Sequence, residues 1–204
     1  MSKKIYLFSA TPHPDVIHIN SLEFTFFKPN IDFSNYDYLV LTSKKAVDAL
    51  QQYDIKDYIN IPALCISKYT KEYYENFGGK ILDVGNGIGS DLKEIIDAYP
   101  KERKWLYLRA KEIAGSGFNT DEAIVYESRC SDEILNFRFN SNEICSLVFT
   151  SPSSIKCFLK NNIFPANAQV IVIGKTTAKH LPELVTCEIA NTSSIDECIK
   201  LART

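Results

Sequence analysis

Read for its apolar and polar positions, the chain alternates short apolar runs with segments whose apolar residues recur three and four apart. The runs Lys4–Phe8, Tyr38–Thr42, Pro62–Ile66, Lys80–Val84, Trp105–Arg109, Cys145–Thr150, Val170–Ile173 and Val185–Ile189 predict buried strands. Between them, Ala46, Val47, Ala49 and Leu50 trace one helical face, and Leu92, Ile95, Ile96 and Tyr99 another. Ile155, Phe158 and Leu159 mark a third, a helix is expected from Lys175 to Leu181, and Ile195, Cys198 and Ile199 define the last. Tyr69, Tyr73, Tyr74 and Phe77 form an aromatic stripe that reads as core, closed by Gly78-Gly79. Ser90 reads as the cap of the helix that Pro100 stops. Pro12 and Pro14 leave room for little more than a helical turn after the first strand.

Strands alternating with helices predict an α/β protein with parallel, doubly wound sheets of flavodoxin or Rossmann type. The text also repeats itself. Leu39–Ala46 (L-V-L-T-S-K-K-A) returns as Leu147–Ser154 (L-V-F-T-S-P-S-S), an offset of 108. Ile66–Thr70 is echoed by Ile173–Thr177 at 107, and Val84-Gly85-Asn86 by Ile189-Ala190-Asn191 at 105. A constant order with a slowly drifting offset is what two diverged copies of one α/β unit produce. The strand-like segments Leu22–Lys28 and Glu122–Arg129 fall outside the copies and predict a two-stranded antiparallel connector. The expected partition is residues 1–22 plus 130–204 as a discontinuous domain, 23–30 and 121–129 as connector strands, and 31–120 as an inserted domain.

With 23 basic and 25 acidic side chains the formal charge is −2, so no overall field draws the protein to nucleic acid or an anionic membrane. The N-terminal apolar run is too short for a signal-peptide core, and no run approaches a membrane span. A cytosolic protein is expected, and nothing in the pattern offers a large apolar interface, which makes a monomer the expected state. The six cysteines show no C-x-x-C pairing and sit mostly in apolar patterns, so buried reduced thiols are expected.

Candidate chemistry gathers where strands end. Thr42, Ser43, Ser67, Tyr69, Thr70, Ser90, Thr150, Ser151, Pro152, Ser153, Thr176 and Thr177 lie at or just past predicted strand ends, with Arg109 and Lys175 close by. Helix N-termini in that position favour anions, and the C-terminal edge of an open α/β sheet is where ligands bind. Helix capping explains the same serines and threonines equally well, and the two roles are compatible. If the two sheets face each other, these hydroxyls would line one cleft suited to a ligand with several carboxylates. The turn Gly85-Asn86-Gly87-Ile88-Gly89-Ser90 resembles a dinucleotide fingerprint, but serine replaces its third glycine and no acidic residue ends the next strand. His13, His18 and His180 suggest no metal site, and no nucleophile signature with a histidine partner occurs.

The run Asp37-Tyr38-Leu39-Val40-Leu41-Thr42-Ser43, then Val125-Tyr126, then Leu147-Val148-Phe149-Thr150-Ser151-Pro152 and Ile173-Gly174-Lys175-Thr176-Thr177-Ala178 resembles uroporphyrinogen-III synthases. The likeness extends from about Tyr36 to Leu201 and is strongest in the last third. It implies two α/β domains with a linear, polycarboxylated tetrapyrrole held between them. It also implies closure of hydroxymethylbilane to uroporphyrinogen III, with loss of water and inversion of the last ring, without metal or organic cofactor. By position, Tyr126 matches the family's cleft tyrosine and a possible proton donor, Thr176 and Thr177 its Gly-x-Thr-Thr turn, and Thr150-Ser151-Pro152 its Thr-Ser-Pro turn. Thr42-Ser43 corresponds to the turn of the other domain. The chain departs from the family in Ser67-Lys68-Tyr69-Thr70, where Gly-x-x-Thr is common, and in a nearly absent N-terminal helix. The residues by themselves also fit a non-catalytic two-lobed binder of a carboxylated or phosphorylated small molecule, and more distantly a dinucleotide-binding protein.

Overall fold

The computed structural model describes residues 3–113, 117–138 and 144–204. In chain order its elements are β1 (Lys4–Ser9), β2 (Ile17–Asn20), β3 (Leu22–Phe26), β4 (Tyr38–Leu41), α1 (Lys44–Leu50), α2 (Ile55–Tyr58), β5 (Ala63–Cys65), α3 (Lys68–Glu75), β6 (Ile81–Val84) and α4 (Gly89–Asp97). They continue with β7 (Trp105–Ala110), β8 (Asp121–Cys130), α5 (Asp132–Asn136), β9 (Cys145–Phe149), α6 (Pro152–Phe158), β10 (Gln169–Val172), α7 (Lys175–Ala178), β11 (Glu188–Ile189) and α8 (Ile195–Ala202). Contacts divide the chain into two compact units, Met1–Glu23 with Arg129–Thr204, and Phe24–Ser128. Among the described residues no helix is long and apolar enough to cross a membrane.

In the first unit the strands lie in the order β11-β10-β9-β1-β2, with parallel pairing throughout. Strand β9 is buried along its whole length, as expected of a parallel strand covered on both faces. Its alternate side chains separate two cores. Leu147 and Phe149 join Phe8, Ile155 and Phe158 on one face, while Val148 joins Leu7, Ile171 and Cys198 of α8 on the other. Phe8 stacks on Phe149 with ring centroids 4.8 Å apart.

In the second unit the order is β3-β8-β7-β4-β5-β6, and the pairs from β8 to β6 are parallel. Leu39 and Leu41 face the core made by α1 and α3 with Ala46, Leu50 and Tyr74, whereas Val40, Leu64 and Tyr107 face Leu92 and Ile96 of α4. The repeat is visible in the topology. From β4 the chain steps outward through β5 and β6, and β7 returns to the other side of β4; from β9 it steps outward through β10 and β11, with β1 on the other side of β9. Tyr107 thus stands beside Val40 as Leu7 stands beside Val148.

Several expectations are corrected. The stretch after β1 forms the parallel strand β2 rather than a bare turn; proline disfavours a helix there but leaves Ile17–Asn20 free to pair with β1. Helix α4 starts at Gly89, with Ile88 at the cap position and no capping side chain, so Ser90 lies in the first turn. Tyr69 is not core: it is 54 % exposed, with the Lys68 ammonium 5.1 Å above its ring, and only Tyr74 of that stripe is fully buried. The two segments expected as connector strands form β3 and β8, neighbours in the six-stranded sheet, where β8 also pairs with β7 from Asp121 to Tyr126. Two cysteines expected as thiols are bonded: Cys130 and Cys157 form a disulfide, while Cys65, Cys145, Cys187 and Cys198 are free. A separation of 27 residues carries no spacing signal; folding β8 onto α6 makes the pair.

Candidate functional site

In each unit the strand order reverses beside the first strand of the repeat, and at such a switch point the loops leaving two neighbouring strands diverge and open a crevice. In the second unit this point lies between β4 and β7. Val40 and Tyr107 are register partners on one face of the sheet, and Thr42, two residues beyond Val40, returns to that face. Its hydroxyl therefore meets the Tyr107 phenol, at 3.1 Å. The next residue, Ser43, caps α1 by accepting from the Lys45 amide at 3.0 Å.

Tyr126 is 9 % exposed, beside the rings of Phe24 and Phe26, whose centroids both lie 6.5 Å away. Burial pushes its phenol above the usual value, against the pull of the nearby Ser43 hydroxyl and the Lys45 charge. Burial raises Tyr107 as well; its Thr42 bond and Arg109 oppose that rise, while Tyr126 and Glu122 add to it. Both phenols hold their protons at neutral pH. Thr42, Tyr107 and Tyr126 line one cavity of about 690 Å³ with Ser90, Lys93 and Glu112, its apolar wall including Ile66 and Phe118. The arrangement offers neutral hydroxyl donors beside an apolar wall, with one cation and one carboxylate at its margin.

Other expected residues of this unit serve elsewhere. Ser67 caps α3, accepting from the Thr70 amide at 3.4 Å, and Thr70 is buried. Arg109 bonds Glu122 at 2.6 Å and the carbonyl oxygens of Ala110 and Lys111 at 2.8 and 3.1 Å. Neither these residues nor Tyr69 lines the cavity.

In the first unit the two hydroxyl-bearing turns follow neighbouring strands, β9 and β10, at one sheet edge. Ser151 caps α6 in a reciprocal box with Ser154, Pro152 begins the helix, and Ser153 stands half-buried in its first turn. The Thr150 hydroxyl donates to the Phe8 carbonyl oxygen at 3.4 Å, across the β9–β1 switch point. After Gly174, Lys175 and Thr176 are exposed and Thr177 is buried. Among the described residues no three histidine, cysteine or acidic side chains gather as a metal site would require.

A profile of the family described as uroporphyrinogen-III synthase HemD matches residues 15–200. The chain belongs to the uroporphyrinogen-III synthase family. The uroporphyrinogen-III synthetase of Helicobacter pylori shares its fold over 98 % of both chains, at 27 % identity and a TM-score of 0.79. A mutant uroporphyrinogen III synthase of Thermus thermophilus overlays 98 % of this chain and 96 % of its own, at 12 % identity and a TM-score of 0.64, a likeness of fold. No curated protein matches the chain. The dinucleotide reading loses its support, because the glycine turn follows β6, at the sheet's edge, whereas that fingerprint works at a switch point. Sequence reasoning on this synthase missed Tyr107, Lys93 and Glu112. In Trp105–Ala110 the tyrosine reads as one more core position, and only its register against Val40 puts its hydroxyl beside Thr42.

Proposed function

We propose that the cavity of the second unit receives the hydroxymethyl end of hydroxymethylbilane, with Tyr126 as the proton donor to the departing hydroxyl. The observation that carries this reading is a buried, protonated phenol lining a cavity at a switch point, in a chain of this family.

The chemistry asks for little more. The hydroxyl leaves as water, taking the phenol proton, while the pyrrole's electrons stabilise the methylene as an azafulvenium cation beside the phenolate. The substituted carbon of the last ring attacks the exocyclic methylene and gives a spiro centre. Fragmentation and recombination there invert that ring, and the final loss of a ring proton restores aromaticity and returns a proton to the phenolate. The product is the substrate less one water. Because the linear chain closes head to tail unaided, the protein's task is to hold it so that the substituted carbon attacks, a matter of positioning. Thr42 and Ser90 supply neutral donors around the cavity, and Thr150-Ser151-Pro152-Ser153 and Lys175-Thr176-Thr177 carry donors of the kind that carboxylates need.

The test is to supply the protein with hydroxymethylbilane, oxidise the products and separate the isomers by chromatography. A large excess of the type III isomer is expected. Type I alone, at the spontaneous rate, would overturn the reading.

A further inference from the structure

Tyr107 takes no part in the chemistry above, yet its hydroxyl sits at the switch point. We propose that Tyr107 is a positioning residue for the choice of isomer: through its hydrogen bond it fixes the direction in which the Thr42 hydroxyl is presented to the cavity. The inference rests on the synthase reading and adds to it a division of labour between two phenols.

Packing alone does not call for a hydroxyl here. In the other unit the same register position is Leu7, fully buried beside Val148, so an aliphatic side chain satisfies the fold. The Tyr107 ring is held by Phe118, with centroids 4.9 Å apart, and is 5 % exposed, so its phenol needs a partner. That partner is Thr42, at 3.1 Å. A threonine hydroxyl has one proton and rotates to suit its neighbours. Whichever hydroxyl donates, the bond to Tyr107 fixes one side of the Thr42 hydroxyl and leaves its remaining hydrogen-bonding sites for the cavity both residues line. Thr42 is bonded to Tyr107, and the adjacent Ser43 counters the effect of burial on Tyr126, so one dipeptide bears on both phenols. Tyr126 acts on departure of the hydroxyl and governs rate. A Thr42 hydroxyl held in one direction acts on how the chain lies afterwards and governs which carbon closes the ring.

The experiment measures the type III to type I ratio, kcat, KM and melting temperature for Tyr107→Phe, Thr42→Val, the double variant and Thr42→Ser. Tyr107→Phe should lower the isomer ratio about tenfold, the scale of one hydrogen bond, while kcat for substrate consumption changes less than for Tyr126→Phe. Thr42→Val should do the same, and the double variant no more than either alone, because one acts through the other. An unchanged ratio in folded Tyr107→Phe, or multiplying effects in the double variant, would overturn the proposal. Should Tyr107→Phe fail to fold, Thr42→Val must lower the ratio and Thr42→Ser largely keep it; equal ratios in those two would also overturn it. Failure of the wild-type protein to make type III at all would instead remove the synthase reading, and the wild-type measurement alone registers that.

Discussion

Cys130, the last residue of β8, and Cys157, in the final turn of α6, are joined by a disulfide with their Cα atoms 5.4 Å apart. The bond ties the helix that begins at Ser151 to the strand on which the chain re-enters the first unit. A cross-link of this kind restricts the unfolded chain, by about 3.5 kcal/mol for a loop of this size in the chain-entropy model. Reduction, or Cys157→Ala, should lower the melting temperature of the first unit by several degrees. Calorimetry with and without a dithiol reductant reads this directly, and coincident transitions would mean that the bond adds no stability.

Replacing Tyr126 by phenylalanine removes the proposed proton donor and leaves the ring beside Phe24 and Phe26. General acid catalysis is typically worth about 10²-fold or more, but this hydroxyl leaves readily, so the loss should lie at the low end. Substrate consumption should slow by about one to two orders of magnitude while the type III product still predominates. Wild-type turnover by the variant would dismiss Tyr126 as the donor.

The alkaline side of the pH profile has a defined sign. Burial raises the phenols of Tyr126 and Tyr107 above their unfolded value of about 10. The donors therefore stay protonated through neutral and mildly alkaline pH, and activity should not decline on their account until above about 10. For stability, above the unfolded value the unfolded chain binds fewer protons than the folded one, so stability falls with rising pH. The contribution is complete below about 10 and is lost as pH climbs through the higher folded values. Urea unfolding at pH 8, 10 and 11 should give falling midpoints, and Tyr126→Phe should fall less steeply.

Arg109 is bound to Glu122 and to two carbonyl oxygens. If those bonds are its whole role, Arg109→Gln and Glu122→Gln should lower stability to a similar extent, and the double variant should lose less than the sum of the two. KM for hydroxymethylbilane should then be alike in both. A KM increase confined to Arg109→Gln would show that the guanidinium contacts a substrate carboxylate.

Loss of the Ser151 hydroxyl should cost about 1 kcal/mol, since Ser151→Ala removes the acceptor of the Ser154 amide and leaves only the half of the box that the Ser151 backbone N–H donates to the Ser154 hydroxyl. Chemical denaturation measures it, and Ser151→Thr should restore most of the loss by supplying the same acceptor.

Much of this protein could be read before any coordinates. Buried parallel strands need near-continuous apolar runs and helices need apolar residues three and four apart, so β4, β7, β9 and the cores they carry are local properties of the text. The Thr-Ser pairs were legible for the same reason, because a cap and a strand end are specified within a few residues. The copied order of those pairs announced two related units, and Tyr126 stood out through family likeness. Strand β2 was hidden by its prolines, and the start of α4 by the glycines before it.

What the chain alone determined, then, is the alphabet of elements and the hydroxyl turns that end them, because those depend on neighbours in sequence. What only the tertiary structure decided is which distant residues share a point in space. The register of β7 on β4 brings Tyr107 to Thr42, and the fold of β8 against α6 brings Cys130 to Cys157. Pairing across a sheet shifts every side chain to the opposite face if it slips by one residue, and no run of apolar letters specifies that alignment.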